Sequence, residues 1–90
     1  MKIEKKEYKE IAYQIIKGDG DGYIELEKLG EILSFKYEIQ YAGYTETGGF
    51  IVKGIELFIS DIECYDEYGK YVESDFNEIE IYNTVRRMVA

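Results

Sequence analysis

Two hydrophobic periods alternate along the chain, and the switches between them mark its elements. From about residue 4 to residue 17, Tyr8, Ile11, Ala12, Ile15 and Ile16 recur at intervals of three and four, with lysines and glutamates between them. That spacing gathers them on one face of an α-helix. Gly18 predicts the helix end, because a glycine just past the last turn takes the left-handed conformation without steric cost. The period then drops to two. Leu33, Phe35, Tyr37, Ile39 and Tyr41 alternate with Ser34, Lys36, Glu38 and Gln40. This predicts a strand over about 32–42 with one apolar and one polar face.

A second strand is expected over about 50–65, with Ile51, Ile55, Leu57 and Ile59 on one face. Beyond Ser60–Asp61 the apolar positions become Ile62 and Cys64. One extra residue flips every later side chain, so a β-bulge or bend is expected there. Thr45–Gly49 carries the paired glycines of a tight turn, and Asp66–Lys70 is a second turn. The segment Tyr23–Ile32 admits two readings. As a helix, Ile24, Leu29, Ile32 and Leu33 form a stripe; as a strand over about 23–27, Ile24 and Leu26 face inward. The aromatic and β-branched start and Gly30 favour the strand.

The period of three and four returns in Phe76, Ile79, Tyr82, Val85 and Val89, which predicts a helix over about 76–88. Asp75 is its expected N-cap, with Glu78 at capping-box spacing. Glu78 and Glu80 then lie in its first turns and Arg86 and Arg87 in its last, an order that complements the helix dipole. The expected fold class is α+β: a single two-layer domain with an N-terminal helix, a three-stranded antiparallel β-meander and a C-terminal helix.

Composition narrows the function classes. Ninety residues, 46% of them hydrophobic, make one small domain with a modest core. There is no apolar run of about 18 residues, so no membrane span is expected. The charged start, Met1–Glu10, has no apolar core of a signal peptide. A single cysteine, Cys64, cannot form an internal disulfide, which fits a cytoplasmic protein. The net charge is −8, and residues 61–82 hold eight acids against Lys70 alone. Such a chain should repel nucleic-acid phosphates and attract basic partners. Lysines on the first helix are interleaved with glutamates, so direct nucleic-acid binding is not expected.

Motifs for chemistry are few. In Lys17–Lys28 two aspartates alternate with glycines, resembling an EF-hand loop over this short stretch. With Gly22 at the invariant glycine, Asp19 and Asp21 take positions 3 and 5 and Ile24 takes position 8. Lys17 and Lys28 then occupy positions 1 and 12, where carboxylates are required and an ammonium repels the ion. The stretch reads as a turn, with a degenerate EF-hand-like cation-binding loop as the lesser alternative, and no metal or cofactor is expected. The chain has no histidine, so a histidine base or a Ser–His or Cys–His pair is absent. Cys64 sits among Ile62, Glu63 and Tyr65, where carboxylates raise rather than lower a thiol pKa. An enzyme is therefore not expected.

What remains is a surface. The expected partner-binding residues are Asp61, Glu63, Asp66, Glu67, Glu73, Asp75, Glu78 and Glu80, with Tyr65, Tyr68 and Tyr71 interleaved. The acids would steer a basic protein and the tyrosines would anchor it. In size, acidity and Lys/Ile/Glu/Tyr-rich composition the chain resembles small acidic phage or mobile-element proteins, including inhibitors of bacterial defence nucleases. That resemblance implies a nucleic-acid mimic. The alternative is a self-associating structural protein, monomer or homodimer, in which a sheet edge pairs with another copy; Tyr44 on the polar side of its strand leaves room for this.

Overall fold

The computed structural model describes residues 1–89. Helix α1 (Lys5–Lys17) precedes strands β1 (Asp21–Lys28), β2 (Glu31–Glu46) and β3 (Gly49–Tyr65), and helix α2 (Glu78–Val89) closes the chain. The sheet is antiparallel in the order β1-β2-β3. Segment Tyr23–Ile32 is thus strand and turn: β1 leads into a tight turn with positive φ at Leu29 (53°) and Gly30 (80°). Two left-handed residues match the twist of a two-residue hairpin. Gly48 (φ 102°) and Gly49 (φ 143°) serve the β2–β3 turn.

Both helices cover one face of the sheet. Tyr8, Ile11, Ala12 and Ile15 of α1 and Ile81 and Val85 of α2 meet Leu33, Phe35, Tyr37 and Ile39 of the central strand. Phe35, Leu33, Ile11, Ile15, Ile81 and Val85 are fully buried. Burial of each contributes about 1.5–3 kcal/mol, and together they are the main force holding the layers together. Lys28, on the same face as Ile24 and Leu26, bridges the layers: its Nζ donates to Glu7 Oε1 at 2.8 Å. Glu7 also accepts from the Glu4 backbone N–H at 2.9 Å, closing the first turn of α1.

Several side chains differ from expectation, each for a definite reason. Gly18 ends α1 in an extended conformation (φ −74°), not a left-handed one. It is glycine for want of space: a Cβ there would collide with Tyr37 Oη. Helix α2 begins at Glu78, and its N-cap is Asn77, whose Oδ1 accepts from Ile79 and Glu80 N–H at 2.8 and 3.1 Å. Asp75 instead accepts from Ile3 N–H at 2.7 Å, tying the start of the chain to the segment before α2. Phe76 therefore lies outside the helix, stacked on Phe35 (4.9 Å) and Tyr8 (6.0 Å). The phase of α2 shifts with it: Ile81, Thr84 and Val85 are buried, while Ile79 is 71% exposed.

The bulge near Ser60–Asp61 is present. Ser34 pairs with Glu63 and Lys36 with Ser60, so Asp61 (φ 54°) and Ile62 both oppose Phe35. Cys64 is returned to the core, while Ile62 stays 42% exposed. A second irregularity was not expected. Ala42 pairs with Gly54 and Gly43 with Val52, leaving Lys53 as the extra residue. It sends Val52 to the helix side and Ile51 to the opposite face, away from Ile55, Leu57 and Ile59.

The molecule is elongated, with extents of 52 × 21 × 18 Å. β1 pairs with β2 only as far as Glu38, so β2 and β3 run on from there as a two-stranded arm.

Candidate protein-interaction surface

With both helices on one side, no other helix or strand of the described residues covers the opposite face of the sheet, which is left bare. The strand register sets its side chains in rows. Glu27, Ile32 and Tyr65 form one row; Glu25, Ser34 and Glu63 the next; Tyr23, Lys36 and Ser60 the third; Asp21, Glu38 and Phe58 the fourth. Gln40 and Glu56 follow, then Tyr44 and Ile51 near the tip. Same-face neighbours along a strand are about 7 Å apart, and adjacent strands are about 4.8 Å apart. The carboxylates of Asp21, Glu25, Glu27, Glu38, Glu56 and Glu63 are exposed on this lattice.

Little positive charge offsets them. Lys36 reaches Asp61 Oδ2 at 3.4 Å, with both side chains 64% exposed. A pair so exposed is worth at most about 1 kcal/mol. Lys53 lies over the Tyr44 ring, 5.2 Å from its centroid. By contrast, Lys5, Lys6, Lys9, Lys17, Arg86 and Arg87 are all on the helices. The acidic excess therefore belongs to the sheet side, and the basic residues concentrate on the helix side. Tyr23 (54% exposed) and Phe58 (57%) stand among the carboxylates.

The residues expected from the sequence divide into two groups. Glu63 and Tyr65 lie on the bare face, and Asp61 joins them at the bulge through its contact with Lys36. Tyr71 bridges to Tyr65 and packs edge-on against its ring at 6.3 Å. The rest lie in the segment 66–77 and in α2. Asp66 Oδ1 accepts from Tyr68 and Lys70 N–H, each at 2.9 Å, and so builds its turn, with Tyr68 81% exposed at the tip. Glu67 lies beside the Gly30 turn. Glu73 offers its backbone carbonyl to the Met1 nitrogen. Asp75 is occupied by Ile3, Glu78 is exposed in the first turn of α2, and Glu80 lies 3.8 Å from Arg87.

Glu25, Glu27, Glu38, Glu56, Tyr23 and Phe58 complete the face and were not singled out from the sequence. The alternation in Tyr23–Glu27 and Leu33–Tyr41 was legible. Missing was the register, which brings those polar positions beside Glu63 and Tyr65.

Other chemistry-bearing groups have structural surroundings. Burial pushes the Cys64 thiol pKa up, and Glu31 adds to that rise. In the Asp19–Asp21 turn, Gly20 (φ 98°) accepts Ile39 N–H on its carbonyl at 2.7 Å, anchoring the loop to β2. Among the described residues no three acidic or cysteine side chains converge as a metal site. Among them, too, no helix is long and apolar enough to cross a membrane. A depression of about 570 Å³ lies between the helices, lined by Lys5, Lys9, Glu80, Thr84, Arg87 and Met88. No protein-family model matches the chain, and no curated protein or solved structure matches it either.

Proposed function

We propose that the protein is a non-enzymatic interaction module whose bare sheet face docks a basic, nucleic-acid-binding protein. The observation that carries this reading is the lattice of exposed carboxylates on β1–β3, with Tyr23, Phe58 and Tyr65 set among them. Fixed carboxylates about 7 Å apart along a strand suit lysine and arginine side chains that would otherwise contact successive phosphates. The aromatic rings add anchor area where charge alone gives little affinity. The sheet holds the array in place before binding, so little ordering entropy is lost. As a nucleic-acid mimic, the protein inhibits by occupying its partner's groove. The absence of histidine from the chain supports the non-enzymatic part of the reading.

The test is capture from a host lysate at low and high salt, with the wild-type protein and with Glu25→Gln/Glu38→Gln/Glu63→Gln. A basic protein held at low salt, released by added salt and lost with the triple variant supports the proposal. The captured protein should also be displaced from duplex DNA by the wild-type chain. Capture that the triple variant leaves unchanged, or no capture at either salt, would overturn it.

A further inference from the structure

The arm formed by β2 and β3 beyond Glu38 carries a second, different surface. Ile39 N–H still donates to Gly20 at 2.7 Å. Backbone groups of alternate residues point to the same side of a strand, so those of Tyr41, Gly43 and Thr45 face the edge beyond Gly20. β1 begins only at Asp21, opposite Glu38, and no other strand of the described residues flanks this edge. The arm is also apolar on both faces: Tyr41 (38% exposed) and Phe50 (51%) on one, Tyr44 (42%) and Ile51 (40%) on the other. A two-stranded ribbon with such exposure is marginal alone in water.

We infer that this open edge of β2 pairs with the same edge of a second copy, antiparallel about a two-fold axis at Gly43, joining two sheets into one of six strands. Three features select a second copy. The first is register. About Gly43, the edge-facing residues match as Tyr41 with Thr45, Gly43 with Gly43 and Thr45 with Tyr41, for roughly six hydrogen bonds. On the bare face Tyr44 then lies opposite Ala42, and Glu46 opposite Gln40, so large meets small and no like charges are directly opposed.

The second feature is charge. Residues 40–54 carry only Glu46 and Lys53, a net of zero in a chain of −8. Antiparallel arms place the two acidic bodies at opposite ends of the pair, beyond the roughly 8 Å range of unscreened repulsion in physiological salt. The third is area. An even share of the 6210 Å² surface gives a fifteen-residue arm on the order of 1,000 Å², and pairing along one of its two edges covers part of that in each copy, an interface of the small, reversible class below about 1,200 Å². This surface is separate from the acidic rows nearer β1, so pairing leaves them free.

Sedimentation of the full chain at about 1–100 μM should show a monomer–dimer equilibrium, as expected of an interface this small. Thr45→Pro removes an edge-facing N–H that makes no bond within the arm and should weaken self-association at least tenfold; Thr45→Val should not. A spin label on Gln40→Cys, with Cys64 protected by burial, should report a pair separation near 20 Å, six residue steps along the strand. Moving the axis by one residue in either direction changes that separation by about 7 Å. A wild-type chain that stays monomeric throughout the range, a dimer unaffected by Thr45→Pro, or a label distance belonging to another register would each overturn the inference. Should Thr45→Pro fail to fold, the label distance in the Gln40→Cys protein decides it.

Discussion

Gly18→Ala has two opposed effects, and the structure fixes which wins. Gly18 has φ −74°, a value any residue adopts. On backbone grounds alone, alanine would stabilise the fold by about 0.4–1 kcal/mol by restricting the unfolded chain. The added Cβ, however, collides with Tyr37 Oη, while its next neighbours, the Gln14 and Ile15 carbonyl oxygens, are at 3.4 and 3.5 Å. Tyr37 is only 7% exposed, and its ring also fills the space beside Gly22, so it cannot swing freely. Overpacking of this kind costs about 1–3 kcal/mol, so Gly18→Ala should be net destabilising. Removing the hydroxyl removes the only close contact. In a Tyr37→Phe background the same substitution should be neutral or stabilising by up to about 1 kcal/mol. The difference is a coupling of about 1–3 kcal/mol between residues 18 and 37. Urea unfolding of the four proteins of the cycle measures it. Equal effects of Gly18→Ala in the wild-type and Tyr37→Phe backgrounds would refute the steric reason for this glycine.

Other consequences are as direct. Asn77→Ala removes the acceptor for two N–H groups of α2 and should cost about 1 kcal/mol in urea unfolding. Acidification bears on Glu7, whose pKa is held below its usual value first by the hydrogen bond from Lys28. Its contribution is therefore complete above the unfolded value of about 4.3 and is lost as pH falls through the lower folded value. Urea midpoints followed from pH 6 down to pH 2 should fall less steeply in Glu7→Gln than in wild type. On the bare face, Glu25→Gln/Glu38→Gln/Glu63→Gln should hold thermal stability to within about 0.5 kcal/mol per site, because these carboxylates are exposed.

The fold was legible wherever a single period ran unbroken. Alternation in Leu33–Tyr41 and helical spacing in Tyr8–Ile16 are properties of neighbours in sequence, and both survive folding because one face of each element is buried. In the stretch Lys17–Lys28, residues 18–20 connect α1 to β1 and the rest is strand, as the aromatic and β-branched pair Tyr23–Ile24 predicts. The start of α2 was obscured because Asp75 and Asn77 both have N-cap chemistry. Ile3, distant in sequence, takes Asp75, and the stacking of Phe76 on Phe35 shifts the helix start. The bulge at Lys53 left no trace because Ile51 and Val52 are equally apolar, so either fits the inward side. The proposed interaction face depended most on tertiary structure. Glu63 and Tyr65 were visible as charge and ring, but only the register of three strands sets them beside Glu25, Glu27 and Ile32.

The most direct measurement is a map of backbone amide shifts in the labelled protein as a decalysine peptide is added, at low salt and again at about 0.5 M, where screening is strong. We expect the shifts to concentrate on the bare face around Glu25, Ser34, Lys36, Glu38 and Glu63, to spare α1, and to vanish at high salt. Shifts centred on the helices, or spread evenly over the molecule, would contradict the assignment of the sheet face as the docking surface.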